Sequence, residues 1–144
     1  MSAEPDRIIA KLGQLRTYLG YLADYRERRL DELRADHTLR GAVERYLQLA
    51  AEAVLDICEM VIVKEGLLHP QEYREAILIL GENGILPATF AEQLAPLAGL
   101  RNILVHEYAD VDLAQVHRHV REDLPDLERF MREIENYLRR TASD

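Results

Sequence analysis

The sequence predicts an all-α fold, an up-and-down bundle of five to six helices. Three observations point there. Apolar residues recur at spacings of three and four over several long stretches, the period of one helix face. No segment of useful length alternates apolar and polar residues with period two. Proline and glycine fall between the periodic runs, where they end helices.

The first helix is carried by Ile8, Leu12, Leu15, Leu19 and Leu22, which form a narrow seam, with Pro5 in its first turn. The charged stretch from Tyr25 to Ala35 either ends this helix or bends it. Asp36 is placed to cap the next one. That second helix is the core element, with Val43, Leu47, Ala50, Val54, Ile57 and Val61 on one face and Gly66 at its C-terminal end. A short third helix follows Pro70 and stops near Gly81 to Gly84. A fourth runs from about Pro87, with Pro96 kinking or splitting it. The last region starts near Asp112. It is expected to break around Leu124-Pro125 and to resume through Leu127, Met131, Ile134 and Leu138.

The chain has 144 residues, enough for one domain with a real core, and residues 1–144 are read as a single unit. There is no internal repeat or low-complexity tract, and only residues 141–144 read as a frayed tail. No apolar stretch reaches the length of a membrane span, and the acidic N-terminus has no signal-peptide apolar region. Cys58 is the single cysteine, so no intrachain disulfide forms and a cytoplasmic location is expected. Within its apolar run Cys58 reads as a small buried hydrophobe.

The net charge is −8, from 26 acidic and 18 basic residues. Broad nonspecific nucleic-acid binding is thereby disfavoured, since it depends on positive charge. Any action on RNA must rest on a local basic patch. Asp24, Glu27, Asp31 and Glu32 read as a solvated face. The tyrosines at 18, 21 and 25 follow a helical stripe and read as packing.

The segment with most chemistry is Gly99-Leu100-Arg101-Asn102-Ile103-Leu104-Val105-His106-Glu107-Tyr108. Asn102 and His106 are four apart and share a helix face. Arg101 and Tyr108 are seven apart and share a neighbouring one. A fixed cation, an amide, an imidazole and a phenol therefore fall within two turns. This set suits a phosphate ester: arginine forks onto two phosphate oxygens, and histidine exchanges a proton near neutral pH. Neither role needs a metal or a cofactor. Arg101 and His106 lie about 140° apart round an ideal helix, so one straight helix does not aim both at one atom. Either the helix loosens near Gly99 or two chains build the site.

The other polar candidates read as structural. His117 and His119 do not face each other on a helix, and no third ligand is spaced to complete a metal site. They are expected to face solvent. His37 and His69 sit near helix starts. Glu44-Arg45 reads as a solvated or intrahelical pair.

Residues 101–108 resemble the Arg-x4-His-x-Tyr signature of the HepT-like ribonuclease toxins, within the larger group of HEPN helical domains. The resemblance extends over roughly Leu39 to Tyr137. It includes Arg40-Gly41-Ala42-Val43-Glu44-Arg45-Tyr46, Tyr73-Arg74-Glu75-Ala76 and Leu94-Ala95-Pro96-Leu97-Ala98-Gly99-Leu100. It implies a metal-independent endoribonuclease working as a homodimer, with the two motifs facing each other across a cleft. Arg101 and His106 would be catalytic, with Asn102 orienting the phosphate or His106. It also implies an MntA-like nucleotidyltransferase antitoxin as partner, which would transfer AMP onto the motif tyrosine, Tyr108. A rival reading is a non-catalytic helical binding partner of a nucleotidyltransferase, and the acidic net charge is its best support.

Overall fold

The computed structural model describes residues 4–105 and 112–142; for Glu4, Asn102, Ile103 and Val105 it describes the backbone alone. Among the described residues there are seven helices and no strand: α1 (Glu4–Tyr25), α2 (Leu30–Ala35), α3 (His37–Lys64), α4 (Tyr73–Glu82), α5 (Ala88–Leu94), α6 (Leu97–Val105) and α7 (Leu113–Ala142). Six of them have seven residues or more, and α2 is a six-residue piece. The bundle expected from the sequence is thus present, with the charged stretch after Tyr25 containing α2.

Local chemistry sets the helix ends. The backbone N–H of Arg29 donates to the Glu32 carboxylate (3.2 Å), which fixes the start of α2. That bond comes first, with the Arg28 guanidinium beside it, in holding the Glu32 carboxyl below its ordinary range. Asp36 caps α3 as expected, accepting from the N–H groups of Thr38 and Leu39, both at 3.1 Å. The other end of α3 is a Schellman turn. Gly66 takes φ +66°, and Leu67 N–H reaches back to Ile62 C=O (3.0 Å). Gly84 at φ +73° repeats the device after α4, with Ile85 N–H on Leu80 C=O (3.0 Å). A side chain at either glycine would be strained by the left-handed backbone.

Helix α3 is the hub, packing against α1, α2, α4, α6 and α7. Its predicted face is buried throughout, as is the predicted seam of α1. Contacts fix the directions. Lys11 meets Asp56 (3.4 Å) and Tyr21 meets Tyr46 (4.7 Å between ring centroids), so α1 and α3 run antiparallel. Arg16 meets Glu135 (3.1 Å), and His117 meets the Arg28 carbonyl (2.8 Å), so α7 runs antiparallel to α1.

Two expectations are corrected in the last helix. It does not break at Pro125 but runs unbroken through it. Proline leaves the carbonyl four residues earlier without its helical partner. Here that residue, Arg121, and Pro125 itself are both on the exposed face, so water can serve that carbonyl. Leu124 and Leu127, buried either side of the proline, hold the helix to the core. The buried stripe also differs by one position. Phe130 and Tyr137 face inward with Leu127 and Ile134, while Met131 and Leu138 pack only partly.

Pro96 splits the fourth predicted element rather than kinking it. Helix α5 ends at Leu94, and α6 starts at Leu97, its first turn closed by Gly99 N–H on Pro96 C=O (3.0 Å). Among the described residues no helix is long and apolar enough to cross a membrane.

Candidate functional site

The split at Pro96 matters because α6 carries the start of the motif. Leu97, Leu100 and Leu104 bury one face of this short helix, and α6 packs on α3 and α4. Arg101 follows Leu100 by one residue, which puts it at the rim of that buried face.

Two neighbours grip Arg101. Its Nε lies 3.9 Å from Oε1 of Glu52 on α3. The same carboxylate oxygen accepts a hydrogen bond from Nε2 of Gln48, one turn earlier on α3, at 3.1 Å. The guanidinium also lies over the ring of Tyr73, the first residue of α4, 5.1 Å from its centroid. Arg101 is partly buried, with its side chain 24% exposed. An arginine held on one edge by a carboxylate and on one face by a ring has its fork fixed in direction, as binding a phosphate requires.

Beside this grip lies an open groove of about 600 Å³. One wall is residues 71–74, where the chain enters α4. The other is residues 95–99, the α5–α6 junction. Tyr73 belongs to both structures, lining the groove and touching Arg101. The loop into α4 is tied down by the Gln71 N–H, which donates to the Glu75 carboxylate at 3.0 Å.

Of the residues singled out in the sequence, Arg101 is on α6 with the contacts just given. Asn102 follows it on α6, described by its backbone alone. His106 and Tyr108 lie outside the described residues. Glu52, Gln48 and the place of Tyr73 beside Arg101 are findings of the structure that sequence reasoning missed. The available signal was a polar i,i+4 pair, Gln48 and Glu52, on the central helix of the bundle. Glu44 is used differently: it accepts from Arg40 Nε within α3 (3.0 Å), so its intrahelical partner is Arg40 where the sequence had suggested Arg45.

The two histidines expected to face solvent are both half-buried and engaged. His117 bonds to the Arg28 carbonyl. His119 Nδ1 lies 2.5 Å from Asp123 Oδ2, one turn on. Both stand beside the buried positions Val116 and Val120, so the bundle covers part of each ring. Among the described residues no group of three or more His, Cys, Asp or Glu is placed to hold a metal ion. Cys58 is fully buried, and burial pushes its thiol far above the ordinary range. Tyr21 and Tyr25 flank Tyr46, with centroids at 4.7 and 6.5 Å, and Tyr18 packs against the core.

Known proteins resemble the chain along most of its length. A relative in Aphanizomenon flos-aquae, described as a tRNA nuclease HepT, is 35% identical over 135 residues, covering 94% of this chain and 92% of the relative. One in Shewanella oneidensis, an mRNA nuclease HepT, is 32% identical over 100 residues, covering 69% and 75%. Among solved structures, a tri-AMPylated HEPN toxin of Shewanella oneidensis in complex with an MNT antitoxin superposes with a TM-score of 0.80. It is 27% identical, and the match covers 94% of this chain and 99% of that one. The family model described as ribonuclease HepT-like matches residues 15–134. The chain therefore belongs to the HepT-like ribonuclease family.

Proposed function

We propose that this chain is the toxin of a HepT/MntA-type toxin–antitoxin system, a metal-independent endoribonuclease that acts as a homodimer of single-domain subunits. The observation that carries the proposal is Arg101. It is the one motif side chain with described contacts, and it is held by Glu52 and by Tyr73, whose residue also lines a groove. Support also comes from the intact Arg101-Asn102-x3-His106-x-Tyr108 pattern and from relatives described as nucleases of tRNA and mRNA.

The chemistry is transesterification within RNA. The ribose 2′-oxygen attacks the adjacent phosphorus and loses its proton to His106, where the imidazole acts as the base, or to water. Arg101 neutralises the phosphorane oxygens, and Asn102 orients the phosphate or His106. The bond from phosphorus to the 5′-oxygen breaks, and that oxygen takes its proton from His106, where the imidazole acts as the acid, or from water. The products are a 2′,3′-cyclic phosphate and a 5′-hydroxyl end. The positive charge needed by the transition state comes from Arg101, so the scheme requires no metal. The separation that Arg101 and His106 would have round an ideal helix favours a cleft shared by two chains.

Tyr108 is the proposed control point. A nucleotidyltransferase partner would place AMP on its oxygen. Each AMP carries a phosphate beside Arg101 and His106, reversing the local charge and repelling RNA. The Shewanella toxin solved with its antitoxin is itself AMPylated, which supports this reading.

The rival is a non-catalytic helical partner of a nucleotidyltransferase, favoured by the net charge of −8. Growth after expression of the chain alone separates the two. A toxin arrests growth, and His106→Ala restores it at equal protein level. Unimpaired growth with the intact chain, or arrest that persists in His106→Ala, would favour the rival.

A further inference from the structure

The groove beside Arg101 has walls that fit one class of ligand. Its floor of Ala95, Pro96 and Ala98 is small and apolar. Tyr73 contributes an aromatic ring that is 38% exposed, the form of a stacking platform and not of a core residue. Arg74, exposed on the same wall, supplies a cation there, and Gln71 and Glu72 complete that wall. Gly99, on the opposite wall, leaves open space: a Cβ built there meets nothing within 4 Å. The volume, about 600 Å³, lies within the range of sites that hold small molecules.

From these features we infer that the groove is a base-binding subsite for single-stranded RNA, in which an unpaired nucleobase stacks on Tyr73. The placement follows from Tyr73 touching both the groove and Arg101. A base stacked on that ring would lie beside the residue that touches Arg101, with Arg74 on the same wall, so that its phosphate would meet a guanidinium group. Stacking suits every base, so the subsite selects for unpaired nucleotides rather than for one sequence. It also lets a chain of net charge −8 bind RNA. Affinity then comes from a ring and from Arg101 and Arg74, not from a broad basic surface. This inference rests on the ribonuclease reading and names the part of the substrate that its site holds.

The test is steady-state cleavage of a single-stranded oligoribonucleotide by the full chain and three variants. Tyr73→Leu removes the ring and is expected to raise KM roughly 5- to 150-fold, the range of one base–aromatic stack, with a fall in kcat beside it because the ring also holds Arg101. Tyr73→Phe returns the ring and is expected to recover most of that loss. Gly99→Leu fills the groove from the opposite wall and is expected to raise KM while also raising Tm, since glycine within a helix is unfavourable. A series of substrates, each lacking one base, completes the cycle. One abasic position should weaken the wild type as Tyr73→Leu does, and should weaken Tyr73→Leu no further.

A wild type that cleaves RNA, with KM unchanged in Tyr73→Leu and in every abasic substrate, overturns the subsite and leaves the ribonuclease reading standing. A fall in kcat alone in Tyr73→Leu also overturns it, and makes Tyr73 a support for Arg101. A wild type that cleaves no RNA overturns the ribonuclease reading itself.

Discussion

Replacing Tyr137 by phenylalanine isolates one interaction that ties the last helix to the hub. The Tyr137 ring is 3% exposed, and phenylalanine keeps that burial. What is lost is the hydroxyl. It donates a short hydrogen bond to the Glu65 carboxylate and accepts one from Lys64 Nζ at 3.0 Å. Lys64 also sits over the ring, 4.9 Å from its centroid, a contact that phenylalanine retains. A hydrogen bond to a charged group is worth about 1.5–3 kcal/mol net. The Glu65 side chain is 35% exposed, so water replaces part of the loss and the low end applies. The expected cost is about 1.5–2 kcal/mol, or a fall in Tm of roughly 4–8 °C for a chain of this size.

The pH dependence gives the signature. The Tyr137 hydroxyl, ahead of Lys64, holds the Glu65 carboxyl below its ordinary value of 4.5. A depressed carboxyl contributes stability above its unfolded pKa and loses it as pH falls through the folded one. Burial first, and Glu65 second, push the Tyr137 phenol well above its ordinary value of 10.0. A raised group contributes fully below its unfolded pKa and loses that contribution as pH rises above it. The difference between wild type and Tyr137→Phe should therefore form a plateau from about pH 5 to 9 and shrink on both sides. Thermal unfolding by circular dichroism across this range is the assay. Equal Tm values at pH 7, or a difference that does not shrink at low pH, would refute the reasoning.

Other outcomes follow from the same structure. At Gly81 an added Cβ would lie 2.6 Å from Ala91 Cβ, so Gly81→Ala must push α4 and α5 apart. It should cost about 1–3 kcal/mol in a denaturant titration, despite the helix preference for alanine; a stabilised variant would show that the two helices do not cross so closely. Cys58 should resist thiol reagents in the native state and react at once in denaturant; rapid native labelling would contradict its burial. Co-expression with a cognate nucleotidyltransferase should add AMP to Tyr108, read by peptide mass spectrometry. AMP on Tyr21, the exposed tyrosine of α1, would reassign the control point.

Much of the bundle was legible because its signals are local. Asp36, Gly66 and Pro96 act through their own backbone neighbourhood: the first two mark helix ends where the sequence predicted them, and Pro96 takes the split of the two outcomes expected of it. The faces of α1 and α3 were legible because their apolar residues keep a helical period. Pro125 misled because a proline breaks a helix only when the orphaned carbonyl goes unserved and nothing holds the two halves. Solvent at Arg121 and burial at Leu124 and Leu127 remove both conditions. His117 and His119 misled because their partners differ in kind, a carbonyl on a distant segment and a carboxylate one turn on. At the candidate site, Arg101 stood out by motif. Glu52 and Tyr73 did not, because they meet Arg101 only after α3, α4 and α6 pack, and separations of 49 and 28 residues carry no local pattern.

Cleavage of a defined oligoribonucleotide by the purified chain in EDTA, with end-group analysis, tests the central claim most directly. The paired substrate carries a 2′-deoxyribose at the cleaved position. The account predicts a 2′,3′-cyclic phosphate and a 5′-hydroxyl from the all-ribose strand and no cleavage of the substituted one. It also predicts a loss of about 100-fold or more in Arg101→Ala. Cleavage of the 2′-deoxy substrate, a 3′-hydroxyl product, or full activity in Arg101→Ala would contradict it.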